Sequence, residues 1–149
     1  TFPVNGKFSK AQREIYNLVL SAQTAALNEI KPGNHWNDPH DAAVRVLTEG
    51  MVELGILKGN PEDLIKNKDY AKYYMHRTGH WLGMDVHDVG NLEWEMKEGM
   101  VFTCEPGIYI LEEELGIRLE NDVLVTQNGP NDLMKNIPIE IEEIESLMN

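Results

Sequence analysis

The sequence predicts an α+β domain in which helices come first and an antiparallel sheet follows. Up to residue 72, apolar residues recur at helical spacing. From residue 73 onward, glycines interrupt the chain, and short runs of β-forming residues lie between them. Helices grouped before strands, rather than alternating with them, are typical of the α+β class.

The helical part divides into three expected helices. Ser9 begins a capping-box pattern, and apolar residues at helical spacing predict a helix over residues 9–30. A second helix is expected over residues 39–57, because its apolar positions again share one face. Residues 60–72 begin with an Asn-Pro pair and two acidic residues, a pattern that favours the start of a third helix.

The second half is expected to form strands. Residues 100–104 and 108–111 are apolar runs on either side of a Glu-Pro-Gly turn, and residues 117–126 are expected to form one longer strand. Strands joined by such short turns pair antiparallel. The tail, residues 138–147, alternates Ile and Glu before a short apolar end, and a final helix is expected there.

The composition limits the classes of function. With 13 Lys and Arg against 25 Asp and Glu, the formal charge is −12, which argues against a nucleic-acid or anionic-membrane partner. No apolar run approaches the roughly 18 residues of a membrane span. Cys104 is the single cysteine, so no internal disulfide can form, as expected of a cytoplasmic protein. Since Cys104 lies in an apolar run, a buried apolar role is favoured over a nucleophilic one.

The first residues indicate a fragment. The chain begins without Met, and residues 1–4 resemble the end of a strand that enters an Asn-Gly turn. A domain rarely begins within a strand. Residues 1–149 are therefore interpreted as one domain that is truncated before Thr1.

A histidine cluster is the first candidate for chemistry. His76, His80 and His87 are three of the five histidines of the chain. On a helix, His76 and His80 would share a face as zinc-binding pairs do, but the nearby glycines favour a path from a loop into a strand. A single histidine is more often structural, whereas three of them beside Asp85 and Asp88 favour a functional site.

Two glutamates are the second candidate. Glu105 ends an apolar run, where a carboxylate is unfavourable unless it is paired or binds a metal; the alternative is a surface glutamate at a strand boundary. Glu120 and Arg118 share one face of a strand, and the alternative for them is a solvated ion pair. One imidazole and two carboxylates suit a divalent cation such as manganese, iron, cobalt or zinc. Three ligands are one or two short of a closed two-metal site.

Three motifs resemble those of the Xaa-Pro aminopeptidases (aminopeptidase P) and the prolidases. Residues 76–90, HRTGHWLGMDVHDVG, resemble the histidine motif of that family. Residues 104–107, CEPG, and 116–122, GIRLEND, resemble its two glutamate motifs in the same order. Residues 1–14, TFPVNGKFSKAQRE, resemble the stretch that follows the family's metal-binding aspartates. Trp81 favours aminopeptidase P over prolidase.

The resemblance implies a fold and an activity. The fold is the pita-bread α+β fold, here incomplete, with helices packed on a curved antiparallel sheet. The activity is removal of the N-terminal residue from peptides with proline in second position, by attack of a metal-held hydroxide on the Xaa-Pro bond. The intact parent would hold two metal ions, usually manganese, and would assemble as a homo-oligomer.

The resemblance also assigns roles to residues. It implies that His80, Glu105 and Glu120 are metal ligands, that Glu120 bridges both ions, and that Glu105 also serves as general base. His76 and His87 match histidines that bind substrate and stabilise the reaction intermediate. In the family, an arginine that orients a ligand carboxylate occupies the position of Arg118.

The chain departs from the family pattern at its beginning. The two aspartate ligands of the family, and a further substrate-contacting histidine, lie upstream of the stretch that matches Thr1. Asn121 stands where the family commonly has an acid. Residues 1–149 would therefore be the C-terminal portion of a metallopeptidase catalytic domain. They are expected to be inactive alone and to bind at most one metal ion weakly.

The alternatives are a prolidase, restricted to dipeptides, and a non-catalytic peptide-binding module of the same fold.

Overall fold

The computed structural model describes residues 1–91 and 93–148, and it has the α+β architecture that the sequence predicts. The helices are α1 (Lys10–Asn28), α2 (Asp38–Glu53), α3 (Pro61–Asn67) and α4 (Ile141–Leu147), with short 3₁₀ helices at Asp69–Lys72 and Leu111–Glu113. The strands are β1 (Val101–Cys104), β2 (Gly107–Ile110), β3 (Leu115–Arg118), β4 (Asn121–Thr126) and β5 (Gly129–Asp132).

Helix α1 connects the helical part to the strands. The Ser9 hydroxyl accepts a hydrogen bond from the Gln12 amide, and the Gln12 side chain accepts one from the Ser9 amide, as the capping box predicts. The helix packs on α2 and also contacts β1, β2, β3 and β5. Its buried residues are Ile15, Tyr16, Val19, Ala22, Gln23 and Ala26. This face is apolar except for one amide side chain, that of Gln23.

The helices end earlier than the sequence predicts. Helix α2 ends at Glu53, because Gly55 turns the chain with a φ of 75°, and glycine adopts that conformation without strain. Helix α3 ends at Asn67, because Lys68 has a left-handed φ of 60°. The expected helix ends at residues 57 and 72 are therefore too late in the chain, whereas the order of the elements is as predicted.

The strands form two antiparallel sheets, and the chain crosses between them twice. One sheet has the order β1-β4-β5, and the other pairs β2 with β3. The chain leaves β1 for β2 at Glu105-Pro106, and it leaves β3 for β4 at Leu119-Glu120. The crossings lie side by side, since the Leu119 amide donates to the Pro106 carbonyl oxygen at 3.3 Å. Each crossing therefore contains one of the two glutamates.

The expected single strand over residues 117–126 is wrong. Arg118 pairs with Gly107 in one sheet, whereas Asn121 pairs with Cys104 in the other, so the ladder is interrupted between them. Strand β5, which contains Pro130, was not expected, because proline and asparagine are rare in strands. Among the described strands it pairs with β4 alone, and an edge position tolerates a residue without an N–H.

The chain start also differs from the expectation. Residues 1–3 belong to no strand among the described residues, although the expected turn is present, with the Gly6 amide donating to the Pro3 carbonyl oxygen at 3.1 Å. The Thr1 hydroxyl instead donates to the carbonyl oxygen of Arg118 at 2.7 Å. The first residue therefore lies beside the second crossing.

Within residues 1–91 and 93–148, no helix combines the length and the apolar character that crossing a membrane requires.

Candidate metal centre

The segment that carries the histidines runs alongside β1. The Thr103 amide donates to the His80 carbonyl oxygen at 3.0 Å, and the Glu105 amide donates to the Thr78 carbonyl oxygen at 2.7 Å. Next to these hydrogen bonds, Trp81 pairs with Phe102 of β1 in an isolated antiparallel bridge. The segment therefore follows the expected path from a loop to the edge of a strand, and this pairing places His80 next to Glu105.

Three side chains converge where the two crossings meet. A nitrogen of His80 and carboxylate oxygens of Glu105 and Glu120 all lie within 4.8 Å of one another. Their side chains are 22%, 13% and 40% exposed, respectively, so the cluster lies at the surface end of the sheet and can exchange ligands with solvent. The structure thus brings together the three residues that the sequence indicates as metal ligands.

Hydrogen bonding leaves one nitrogen of His80 available to a metal ion. Its Nδ1 lies 2.9 Å from the Trp81 carbonyl oxygen. Because a carbonyl oxygen only accepts, Nδ1 carries a proton, and in the neutral imidazole Nε2 is the nitrogen whose lone pair can bind a metal ion. That Nε2 lies 3.4 Å from Oε1 of Glu105. A backbone carbonyl that orients the imidazole in this way is the usual arrangement for a metal-binding histidine.

The Glu105 carboxylate is held by a hydroxyl group. Thr103 donates from its hydroxyl to Oε1 of Glu105 at 3.0 Å, and the same hydroxyl accepts from the His80 amide at 3.1 Å. Thr103 is 4% exposed, so water does not compete for these bonds. Thr103 therefore links two of the three candidate ligands.

Arg118 lies between the two carboxylates. Its Nε is 3.8 Å from Oε2 of Glu105 and 4.0 Å from Oε2 of Glu120. Neighbouring Tyr109 contributes most to raising the pKa of the Arg118 guanidinium above its ordinary value, and the two glutamates add to the effect. A permanent positive charge here reduces the repulsion between the two carboxylates.

The other two histidines lie outside the ligand cluster. The Nδ1 of His76 donates to the Arg77 carbonyl oxygen at 2.8 Å, and its Nε2 is 2.9 Å from the Tyr109 hydroxyl. His87 is exposed, and its ring meets that of His80 edge to face with centroids 4.3 Å apart. His76 is thus tied to the second sheet, while His87 flanks the cluster on its solvent side.

Two residues that contact the site, Thr103 and Tyr109, are not predicted from the sequence. Thr103 could have been found, because it is polar in an apolar run and shares the strand face of Glu105 two positions later. Tyr109 lies near Arg118 because β2 pairs with β3, and it touches His76 where the Tyr109 amide donates to the Tyr73 carbonyl oxygen at 2.9 Å. Its place beside the site depends on tertiary structure, and its sequence neighbourhood carries no comparable signal.

The donor set fits a divalent metal ion. It combines one imidazole nitrogen with two carboxylates, and the exposed side of Glu120 leaves room for further ligands. Manganese, iron, cobalt and zinc all accept this mixture of donors. A site with two ions about 3.5–4 Å apart would require additional bridging carboxylates beyond these three residues.

Cys104, between Thr103 and Glu105, is expected to be chemically inert in the folded protein. It is 1% exposed, and burial, followed by the nearby charges of Asp132 and Glu105, raises the pKa of its thiol. Because the thiolate is the reactive form, a disulfide reagent at neutral pH should react only at the rate at which the structure opens. The same reagent should titrate the thiol rapidly in concentrated guanidinium chloride. Rapid reaction in the native state would contradict the buried placement.

Comparison with known proteins covers nearly the whole chain. The model of metallopeptidase family M24 matches residues 1–127. The Xaa-Pro aminopeptidase of Haemophilus influenzae is 48% identical, over 100% of this chain and 37% of that protein. The Xaa-Pro aminopeptidase of Escherichia coli is 41% identical, over 99% of this chain and 36% of that protein. The chain therefore spans little more than a third of the length of these relatives.

Solved structures show the same fold. The aminopeptidase PepP of Pseudomonas aeruginosa superposes with a TM-score of 0.96 at 48% identity, over 99% of this chain and 36% of that one. The zinc-substituted aminopeptidase P of Escherichia coli in complex with product gives a TM-score of 0.95 at 41% identity, with the same coverage. These likenesses confirm the incomplete pita-bread α+β fold that the motifs imply. Because the family model matches residues 1–127 as well, the chain belongs to metallopeptidase family M24.

Proposed function

We propose that the complete protein containing this chain is a metal-dependent Xaa-Pro aminopeptidase, which removes the N-terminal residue from peptides with proline in second position. The observation that carries the proposal is the convergence of His80, Glu105 and Glu120 within 4.8 Å, in a chain that matches Xaa-Pro aminopeptidases over its whole length. Isolated acidic clusters are common on protein surfaces. This one combines a correctly oriented imidazole with a largely buried carboxylate.

The proposed ligands are Nε2 of His80 and the carboxylates of Glu105 and Glu120. A bound divalent ion would supply a Lewis acid for the scissile carbonyl and would lower the pKa of a water molecule. Glu105 is assigned the proton acceptor for that water, because its Oε1 already receives a hydrogen bond that fixes its orientation. Arg118, whose Nε lies 3.8 Å from Glu105 and 4.0 Å from Glu120, offsets the repulsion between the two carboxylates.

The flanking histidines are assigned to the substrate. His87 lies on the solvent side of His80, where it can donate a hydrogen bond to an oxygen that gains negative charge during the reaction. His76 is held by Arg77 and Tyr109 in a fixed orientation, which suits a residue that positions a peptide. Both assignments are proposals, and the positions are those that match the histidines of the aminopeptidase P motif.

These 149 residues alone are proposed to have no useful peptidase activity. The cluster offers three donor side chains among the described residues, whereas two ions need bridging carboxylates in addition. Manganese as the metal, a cytoplasmic location and a homo-oligomeric complete protein stay predictions.

The test of the proposed function uses the complete protein with two substrates. After manganese is added, Arg-Pro-Pro should lose its arginine, while the dipeptide Gly-Pro should stay intact. Removal of metal with EDTA should abolish cleavage, and manganese should restore it. Cleavage of the dipeptide but not the tripeptide would identify a prolidase. Peptide binding without cleavage in the presence of metal would identify a non-catalytic module.

A further inference from the structure

A buried glutamine lies beneath the candidate metal centre. Gln23, on α1, is 1% exposed and belongs to a helix face that is otherwise apolar. An amide in such surroundings is unfavourable unless its hydrogen-bonding groups are satisfied. Its partners therefore indicate what this position contributes.

Gln23 bonds to both strands at the place where they present the glutamates. Its Nε2 donates to the Cys104 carbonyl oxygen at 3.2 Å and lies 3.4 Å from Oδ1 of Asn121. Cys104 is the residue before Glu105, and Asn121 is the residue after Glu120. The two partners also face each other as the last pair of the β1-β4 ladder.

The side chain of Asn121 is held in place by a hydrogen bond of its own. Asn121 is 9% exposed, and its Nδ2 donates to Oδ2 of Asp132 on β5 at 2.7 Å. The side-chain amide of Asn121 is therefore oriented with its oxygen toward Gln23. An ionised acid at this position could not donate to Asp132, so the amide of Asn121 suits this contact.

Two like-charged carboxylates at adjacent crossings repel each other, and the β1-β4 ladder ends at the pair Cys104 and Asn121, next to both glutamates. Arg118 opposes this repulsion from the solvent side. On the core side, one amide group of Gln23 contacts both strand ends at once.

We propose that Gln23 is a positioning residue that fixes Glu105 and Glu120 relative to each other for metal binding. The inference rests on the proposed metal site. The side-chain hydrogen bonds of Gln23 go to Cys104 and Asn121 and to neither glutamate. It acts through the peptide group before one ligand and the side chain after the other.

The test compares Gln23→Met with Val19→Ala in the complete protein. Methionine has a similar length and volume but donates no hydrogen bond, whereas Val19→Ala creates a cavity on the same buried helix face and leaves the side chain of Gln23 unchanged. Both variants should lower the melting temperature. Only Gln23→Met should weaken manganese binding, measured calorimetrically, by about 10–100-fold, and alter the visible absorption spectrum of the cobalt-loaded protein.

A second measurement does not depend on metal. A crystal structure of metal-free Gln23→Met should show the separation of the Glu105 and Glu120 carboxylates changed by more than about 0.5 Å. If that variant does not fold, Asn121→Ala removes the contact of Gln23 with β4, together with the Asn121–Asp132 bond, and keeps its contact with β1, so a displacement of Glu120 with Glu105 in place is expected.

The outcomes separate the two proposals. An unchanged carboxylate separation in the variant would overturn the positioning role, as would wild-type manganese affinity combined with a lowered melting temperature. Failure of the wild-type protein to bind any divalent metal would overturn the proposed function instead. A changed carboxylate separation in that case would still support the structural role of Gln23.

Discussion

Replacing Glu105 with glutamine is expected to reduce Arg-Pro-Pro cleavage by the complete protein at least about 10³-fold, on the scale of losing a group that stabilises charge in the transition state. The substitution keeps the shape of the side chain and an Oε1 that can still accept from Thr103. It removes the negative charge 3.4 Å from His80 Nε2. The loss should therefore come from metal binding and proton transfer, with little change in local structure.

Measurements of metal affinity and turnover distinguish the contribution of Glu105 to metal binding from its contribution to proton transfer. Manganese binding to Glu105→Gln, measured calorimetrically, should fall by more than the roughly 10–100-fold that loss of an outer partner of a ligand causes. If saturating manganese restores metal content but not turnover, the carboxylate also serves as the proton acceptor.

The matched control is Glu112→Gln, the same chemical change at an exposed glutamate. Glu112 is 61% exposed and forms an ion pair with Lys72 at 2.7 Å. Cleavage and manganese affinity should both match the wild type, because an exposed pair contributes little and lies outside the cluster. Wild-type turnover in Glu105→Gln would exclude this carboxylate from the site.

The sequence predicts the helices of this fold better than its strands. A capping box and apolar spacing are local signals, and α1 begins one residue after Ser9 as they predict. The interruption between β3 and β4 has only a weak local signal, because Glu120, Asn121 and Asp122 are poor β-formers but no Gly or Pro stands at the crossing. The strand is interrupted because its two parts pair with different strands. Arg118 pairs with Gly107 of β2, whereas Asn121 pairs with Cys104 of β1.

In the candidate site, too, local features can be predicted from the sequence, whereas features that depend on tertiary structure cannot. His80, Glu105 and Glu120 were indicated from the sequence, because unfavourable polar residues at strand ends are visible there. Their residue types alone suggest a shared metal site, but the arrangement that brings them together, two sheets with neighbouring crossings, has no local signal. Gln23 could not be identified from the sequence, because its partners lie 81 and 98 positions away.

Gly79→Ala is expected to destabilise the protein by about 3 kcal/mol, the upper range for inserting a methyl group into a packed site. A Cβ at this position would overlap the Thr103 carbonyl oxygen and lie 3.1 Å from its carbon. Backbone atoms of a paired strand cannot rotate away as a side chain can. To make room, the Gly79 segment would have to leave β1, which would break the bonds that join His80 to Thr103 and Thr78 to Glu105. The same movement would separate His80 from the glutamates, so manganese affinity should fall together with stability.

Gly50→Ala provides the contrast, because the obstacle there is a side chain. A Cβ at Gly50 would meet the two methyl groups of Leu18, which can change rotamer. Alanine in the interior of α2 also gains about 1 kcal/mol of helix propensity over glycine, which offsets the cost of moving Leu18. Urea unfolding of both variants should therefore show a lowered midpoint for Gly79→Ala and a midpoint near that of the wild type for Gly50→Ala. Equal midpoints with unchanged manganese affinity in both would mean that the histidine segment does not need its close approach to β1 to form the metal centre.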